Sequence, residues 1–216
     1  MAVQIEVVSD VVCPWCFIGK RRLESALRAL RQRPDAPDIP VEVVWRPFQL
    51  NPDMPEGGMD RAQYLQRKFG ADAGQVYARV SAVGRDAGID FDFARIGRQP
   101  NTLTAHQLIA LAGAQRRQDA MVERLFRAYF IEGADLTRQD VLVDLAEQAG
   151  VERASAQAEL DDPGRRWAVA NEDQAARAMG VQGVPFFVFD RRLAVSGAQE
   201  ARVLVQAIER AAAQAD

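Results

Sequence analysis

Val3, Ile5, Val7 and Val8 form a short β-branched run, and its near-continuous apolar character predicts a strand buried on both faces. Residues 9–12 are its exit. Pro14 then suits a first helical position, where its missing N–H has no partner to lose. From Phe17 to Leu30 the apolar positions Phe17, Leu23, Leu27 and Leu30 keep helical spacing, and Pro34, Pro37 and Pro40 are expected to end that helix. Val41, Val43, Val44 and Trp45 read as a second strand, stopped by Pro47. Residues 48–58 are loop by composition.

About a hundred helical residues follow. Ala105, Leu108, Ile109 and Ala112 recur at i, i+3, i+4 and i+7, as do Val122, Leu125, Phe126 and Tyr129, while Val141, Leu142, Leu145 and Ala149 repeat the theme. Gly70, Gly88, Gly133 and Gly150 are expected breaks or caps, and residues 167–179 a further helix. The pattern then reverts to strand at Val184-Pro185-Phe186-Phe187-Val188-Phe189. A turn at Asp190-Arg191-Arg192 and a partner strand at 193–196 make a hairpin. An amphipathic helix is expected from Gln199 to Ala212.

The 216 residues, 48% hydrophobic and 26% charged, are ordinary for a globular protein and exclude a disordered one. With 27 basic against 30 acidic residues there is no basic excess to favour nucleic acid. No apolar run approaches the ~20 residues that span a bilayer. Residues 1–6 show no basic n-region, apolar h-region or cleavage site, so a cytoplasmic location is expected.

The two cysteines both lie in Cys13-Pro14-Trp15-Cys16. A structural zinc site needs four ligands, more than Cys13, Cys16 and the lone His106 supply, so no metal is expected. A single C-x-x-C of this kind reads first as a redox-active dithiol. The unpaired N–H groups and macrodipole of a helix N-terminus favour an anion, hence a thiolate at Cys13. Cys16 lies one turn inside and is expected to be less exposed. Cys13 would then attack a partner's disulfide and Cys16 resolve the mixed disulfide.

A strand, C-x-x-C at a helix start and a distant hairpin beginning Val-Pro together resemble the thioredoxin fold. The helical block sits where the DsbA-like branch carries its insertion. Within that branch, the segments Val11–Gly19, Asn101–His106, Gly183–Val188 and Ser196–Gln199 resemble the FrnE-like cytoplasmic oxidoreductases. The expected fold is therefore α/β, a thioredoxin fold with a large all-helical insertion. Residues 1–50 and 165–216 would form the thioredoxin-like domain, and 51–164 the insertion.

The resemblance implies a cis bond before Pro185, with Val184 presenting its backbone to an incoming peptide. It also implies that Trp15 stands where the best-known members carry a His whose imidazolium stabilises the thiolate. Uncharged Trp15 should make the disulfide less oxidising; a surface contact with partners is its other reading. Where relatives often carry an acid six residues before the first Cys, this chain has Val7. Glu6 should face the opposite way. Asp10 is expected to be a solvated loop or cap residue, and either it or water is left to handle the proton of Cys16.

His106, between Leu103 and Ile109, reads as a partly buried structural residue at the edge of an apolar face. Asn101 and Thr102 would cap its helix. Asn101, His106 and Gln199 are also candidates for a lid or substrate contact by resemblance. Lys20-Arg21-Arg22 reads as a solvated helix face, or as weak electrostatic support for Cys13.

The leading functional expectation is a thiol–disulfide oxidoreductase or isomerase acting on protein or peptide disulfides. It needs no cofactor beyond the Cys13–Cys16 disulfide, with glutathione a candidate co-substrate. The second is a glutathione-dependent isomerase or transferase, such as a 2-hydroxychromene-2-carboxylate isomerase or kappa-class transferase. Such proteins usually have Ser in place of Cys13 and lack the second Cys. The third is a metal-binding dimer that pools two C-x-x-C pairs. No nucleic-acid or membrane partner is expected.

Overall fold

The computed structural model describes residues 2–32 and 39–214. Strand β1 (Val3–Ser9) leads through a tight turn into helix α1 (Pro14–Arg31), and β2 (Val41–Pro47) follows. Pro34 and Pro37, expected to end α1, lie outside the described residues. Pro40 precedes β2, and its carbonyl accepts from Val3 N at 2.8 Å. A short antiparallel pair of β3 (Met59–Asp60) and β4 (Arg98–Gln99) brackets α2 (Arg61–Phe69) and α3 (Ala73–Asp86). Helices α4 (Leu103–Ala114), α5 (Gln118–Arg127), α6 (Gln139–Gln148), α7 (Arg153–Asp161) and α8 (Pro163–Ala178) come next, with a π-helical turn over Ala128–Glu132. The chain closes with β5 (Phe186–Phe189), β6 (Leu193–Ser196) and α9 (Ala201–Ala213).

Among the described residues the central sheet runs β2–β1–β5–β6. β1 and β2 are parallel, which requires the α1 crossover, and β5 is antiparallel to both β1 and β6. Alternation along β1 sends Ile5 and Val7 into the main core and Val8 into a smaller cluster with Phe48, Ala176 and Val181 on the other face. The two-sided burial expected of β1 holds at its C-terminal end, whereas Gln4 and Glu6 are half-buried. Glu6 accepts from Arg46 Nε at 2.9 Å.

The main core is continuous from the sheet into the helical block. Phe17 of α1 stacks on Phe126 at 5.0 Å and meets Phe91 edge-on at 6.0 Å, which docks the dithiol helix against that block. The same helix carries an ion-pair cluster. Lys20 Nζ lies 3.1 Å from Asp119 and 3.3 Å from Glu123, and also contacts Glu24. Arg21 Nη1 donates to Glu123 at 2.9 Å, and Arg22 donates to the Ala198 carbonyl. The solvated basic face expected at 20–22 is thus corrected: Lys20 is only 2% exposed because acids about a hundred residues away in α5 fold over it.

Gly70, Gly88, Gly133 and Gly150 all have positive φ, as breaks or caps require. β5 begins at Phe186 rather than at Val184, and α9 begins at Ala201 rather than at Gln199.

Candidate active site

The register of the sheet builds the site. Val8, one residue from the end of β1, pairs with Phe186, the first residue of β5. The turn after β1 and the segment before β5 therefore meet at one sheet end. In that turn Cys13 N donates to Asp10 O at 3.0 Å. Cys13 caps α1, with Pro14 as its first residue. The Val184–Pro185 bond is cis. Cys13 Sγ lies 3.5 Å from the Val184 carbonyl and donates to it.

Both thiols are free and buried, Cys13 4% and Cys16 1% exposed. Burial pushes the Cys16 thiol well above the ordinary range, and the adjacent Cys13 sulfur adds to this, while the Ser9 hydroxyl and the Asp10 backbone N–H pull it down. The inner sulfur is thus a neutral thiol at neutral pH, and its reaction requires a group to take its proton.

Trp15 is the exposed member of the motif, at 36%. Of the two phenylalanines nearest the motif and the hairpin start, Phe17 is fully buried, while Phe186 is half-buried in the smaller cluster. Gly19, to which the sequence assigned no role, faces Pro185. A Cβ there would lie 2.9 Å from Pro185 Cγ and 3.3 Å from the Phe187 ring. The signal for it was a glycine inside a helical stretch.

Asp10 is not solvated. It is completely buried, and its Oδ2 accepts from Leu50 N at 2.7 Å. The cause is the loop after β2, which closes over the turn; Phe48 N donates to Ser9 O at 3.0 Å. His106 is likewise buried rather than partly so, and its Nε2 lies 3.5 Å from Asp10 Oδ1. Neither of these two atoms has a hydrogen-bond partner among the described residues.

Asn101 caps α4 as expected, its Oδ1 accepting from Leu103 N at 3.0 Å, but Thr102 makes no side-chain cap. Asn101 also accepts from Gln49 Nε2 and donates to Met54 O, so its amide is committed to the 48–54 loop. Gln199 turns back to the Ser196 carbonyl at 3.0 Å, and Gly197 N donates to Pro185 O at 2.8 Å. The structure therefore gathers Cys13, Cys16, Val184, Pro185, Asp10 and His106, and places Gln199 in the loop between β6 and α9, two residues after the Gly197 that bonds to Pro185.

Residues 4–209 match the DSBA-like thioredoxin domain, and the chain belongs to that family. It is thus a DsbA-like thioredoxin-fold protein of the oxidoreductase and isomerase kind. A probable DsbA oxidoreductase from Streptomyces coelicolor is 33% identical, covers 97% of this chain and 89% of its own, and superposes with a TM-score of 0.84. A 2-hydroxychromene-2-carboxylate isomerase shares the fold at 14% identity and a TM-score of 0.71, over 98% of this chain and 97% of its own. The cytosolic disulfide reductase DsbM of Pseudomonas aeruginosa, solved with glutathione, shares it at 20% identity and 0.60, over 97% and 96%. No helix among the described residues is long and apolar enough to cross a membrane.

Proposed function

We propose that this protein is a thiol–disulfide oxidoreductase or isomerase that acts on disulfides of proteins or peptides through Cys13 and Cys16. The observation that carries the reading is the meeting of Cys13 Sγ, at the start of α1, with the Val184 carbonyl just before cis-Pro185. A substrate laid along residues 184–185 brings its sulfur to Cys13. Cys13 is the nucleophile: its sulfur bonds to one substrate sulfur, and the other leaves as a thiolate. Cys16 then displaces the substrate, leaving the Cys13–Cys16 disulfide. Pro14 starts the helix that presents the pair, and exposed Trp15 gives substrate an apolar rim.

Glutathione is proposed as a reductant or co-substrate, and a cytoplasmic setting goes with that role; the fold is shared with a cytosolic reductase solved with glutathione. The test is insulin-disulfide reduction in the presence of dithiothreitol. The wild type should accelerate it and Cys16→Ala should lose the activity. An inert wild type, with Cys16-independent turnover of a small glutathione-linked substrate, would place the chain among the isomerases instead.

A further inference from the structure

The chemistry of Cys16 leaves one proton to place, and the position where many thioredoxin-like proteins keep an acid is occupied here by Val7. Two buried groups stand nearby. Asp10 sits in the dithiol turn, where its carbonyl accepts from Cys13 N at 3.0 Å and the Cys13 carbonyl accepts from Cys16 N at 3.0 Å, and the Asp10 carboxyl is fixed by Leu50 N through one oxygen only. Its other oxygen faces His106 Nε2 at 3.5 Å, and neither atom completes a hydrogen bond. A buried acceptor and a buried imidazole nitrogen left this way are costly unless a proton lies between them. His106 also lines a cavity of about 470 Å³ between β2 and α4, together with the charged Arg46, Arg116, Asp119 and Glu172. From the π-helical turn, the buried Tyr129 hydroxyl accepts from buried Arg61 at 3.4 Å.

We infer that Asp10 and His106 form a proton-holding pair that takes the Cys16 proton during resolution and exchanges it with solvent through the β2–α4 cavity. This rests on the dithiol reading above. In the step, Cys16–SH gives its proton to the pair and its electron pair forms the Cys16–Cys13 bond. The Cys13–substrate S–S bond breaks, and the substrate leaves as a thiolate. The pair, now an Asp10 carboxylate beside a His106 imidazolium, returns the proton to water. Asp10 and His106 are positioning and proton-holding residues; the sulfurs do the bond chemistry.

The test uses the reduced full chain and dithiobis-nitrobenzoate, which releases one thionitrobenzoate when Cys13 attacks and a second when Cys16 resolves. At pH 7, Asp10→Asn and His106→Gln should each slow the second release at least about tenfold, within the range of general-base effects. The first release should stay within about twofold, and the deficit should shrink as pH rises and hydroxide takes the proton. Unchanged second phases, or both phases slowed equally at every pH, would overturn the pair's role. A wild type that gives no second release would instead count against the dithiol reading. His106 is the sole histidine, so its imidazole signal in labelled wild-type protein is a second readout that needs no variant. It should shift between the oxidised and reduced forms, and an identical signal across pH 5–9 (roughly the imidazole and thiol range) would contradict the pair.

Discussion

Gly19 and Pro185 approach so closely that a single added carbon on Gly19 would lie 2.9 Å from the proline ring. The contact locks α1, which carries both sulfurs, against the residue that follows the Val184 carbonyl. A proline ring does not swing aside as the end of a flexible side chain does. Gly19→Ala should therefore cost about 1–3 kcal/mol by overpacking. It should also slow disulfide exchange while leaving both thiols in place. A urea unfolding midpoint measured beside the insulin assay checks both effects.

The Lys20 cluster holds the same helix to α5. Burial pushes the Glu123 carboxyl up, but the Arg21 hydrogen bond and the charges of Lys20 and Arg21 hold it below the usual glutamate range. A lowered folded-state value stabilises above the ordinary value near ~4.3 and is lost as pH falls through the folded value. Glu123→Gln should destabilise by about 1–2 kcal/mol near neutral pH, modest because its side chain is 25% exposed. The difference should vanish in acid, as thermal melts of both proteins between pH 3 and 7 (roughly the carboxylate range) will show.

Cys16 gives the opposite dependence. Its folded-state thiol is held above the ordinary value by burial. Above about pH 8.5 the unfolded chain releases this proton while the folded one keeps it, so the reduced protein loses about 1.4 kcal/mol per pH unit from this group. Denaturant titrations of the reduced wild type and Cys16→Ala should show the loss in the wild type alone.

Trp15 places an uncharged ring where a cation would favour the reduced, thiolate-bearing form. Trp15→His should therefore make the Cys13–Cys16 couple more oxidising, by about 30 mV for a tenfold change in its equilibrium constant. Equilibration with glutathione buffers measures it; a more negative potential would refute the electrostatic argument.

Most of the thioredoxin frame was legible because it is periodic: β-branched runs gave β1 and β2, and i, i+3, i+4 spacing gave α4 and α5. The dithiol was legible because Cys13, Pro14 and Cys16 lie within one turn. What escaped depends on partners distant along the chain. Lys20 looks solvated until Asp119 and Glu123 are folded over it, and Asp10 looks like a loop residue until Leu50 bonds to its carboxylate. The β3–β4 pair is two residues per strand, too short for alternation to register. His106 sits on a helix whose burial is nearly all-round, so its own neighbours point to core and not to Asp10.

The central claim, that Cys13 attacks a protein disulfide and Cys16 resolves it, is tested most directly by trapping. Cys16→Ser protein, incubated with oxidised insulin and quenched in acid, should carry one insulin chain linked to Cys13 when mapped by mass spectrometry; the wild type should carry almost none, and Cys13→Ser none. If Cys16→Ser yields no adduct, or if the adduct forms equally well when Cys13 is replaced, the assignment of the two sulfurs is wrong.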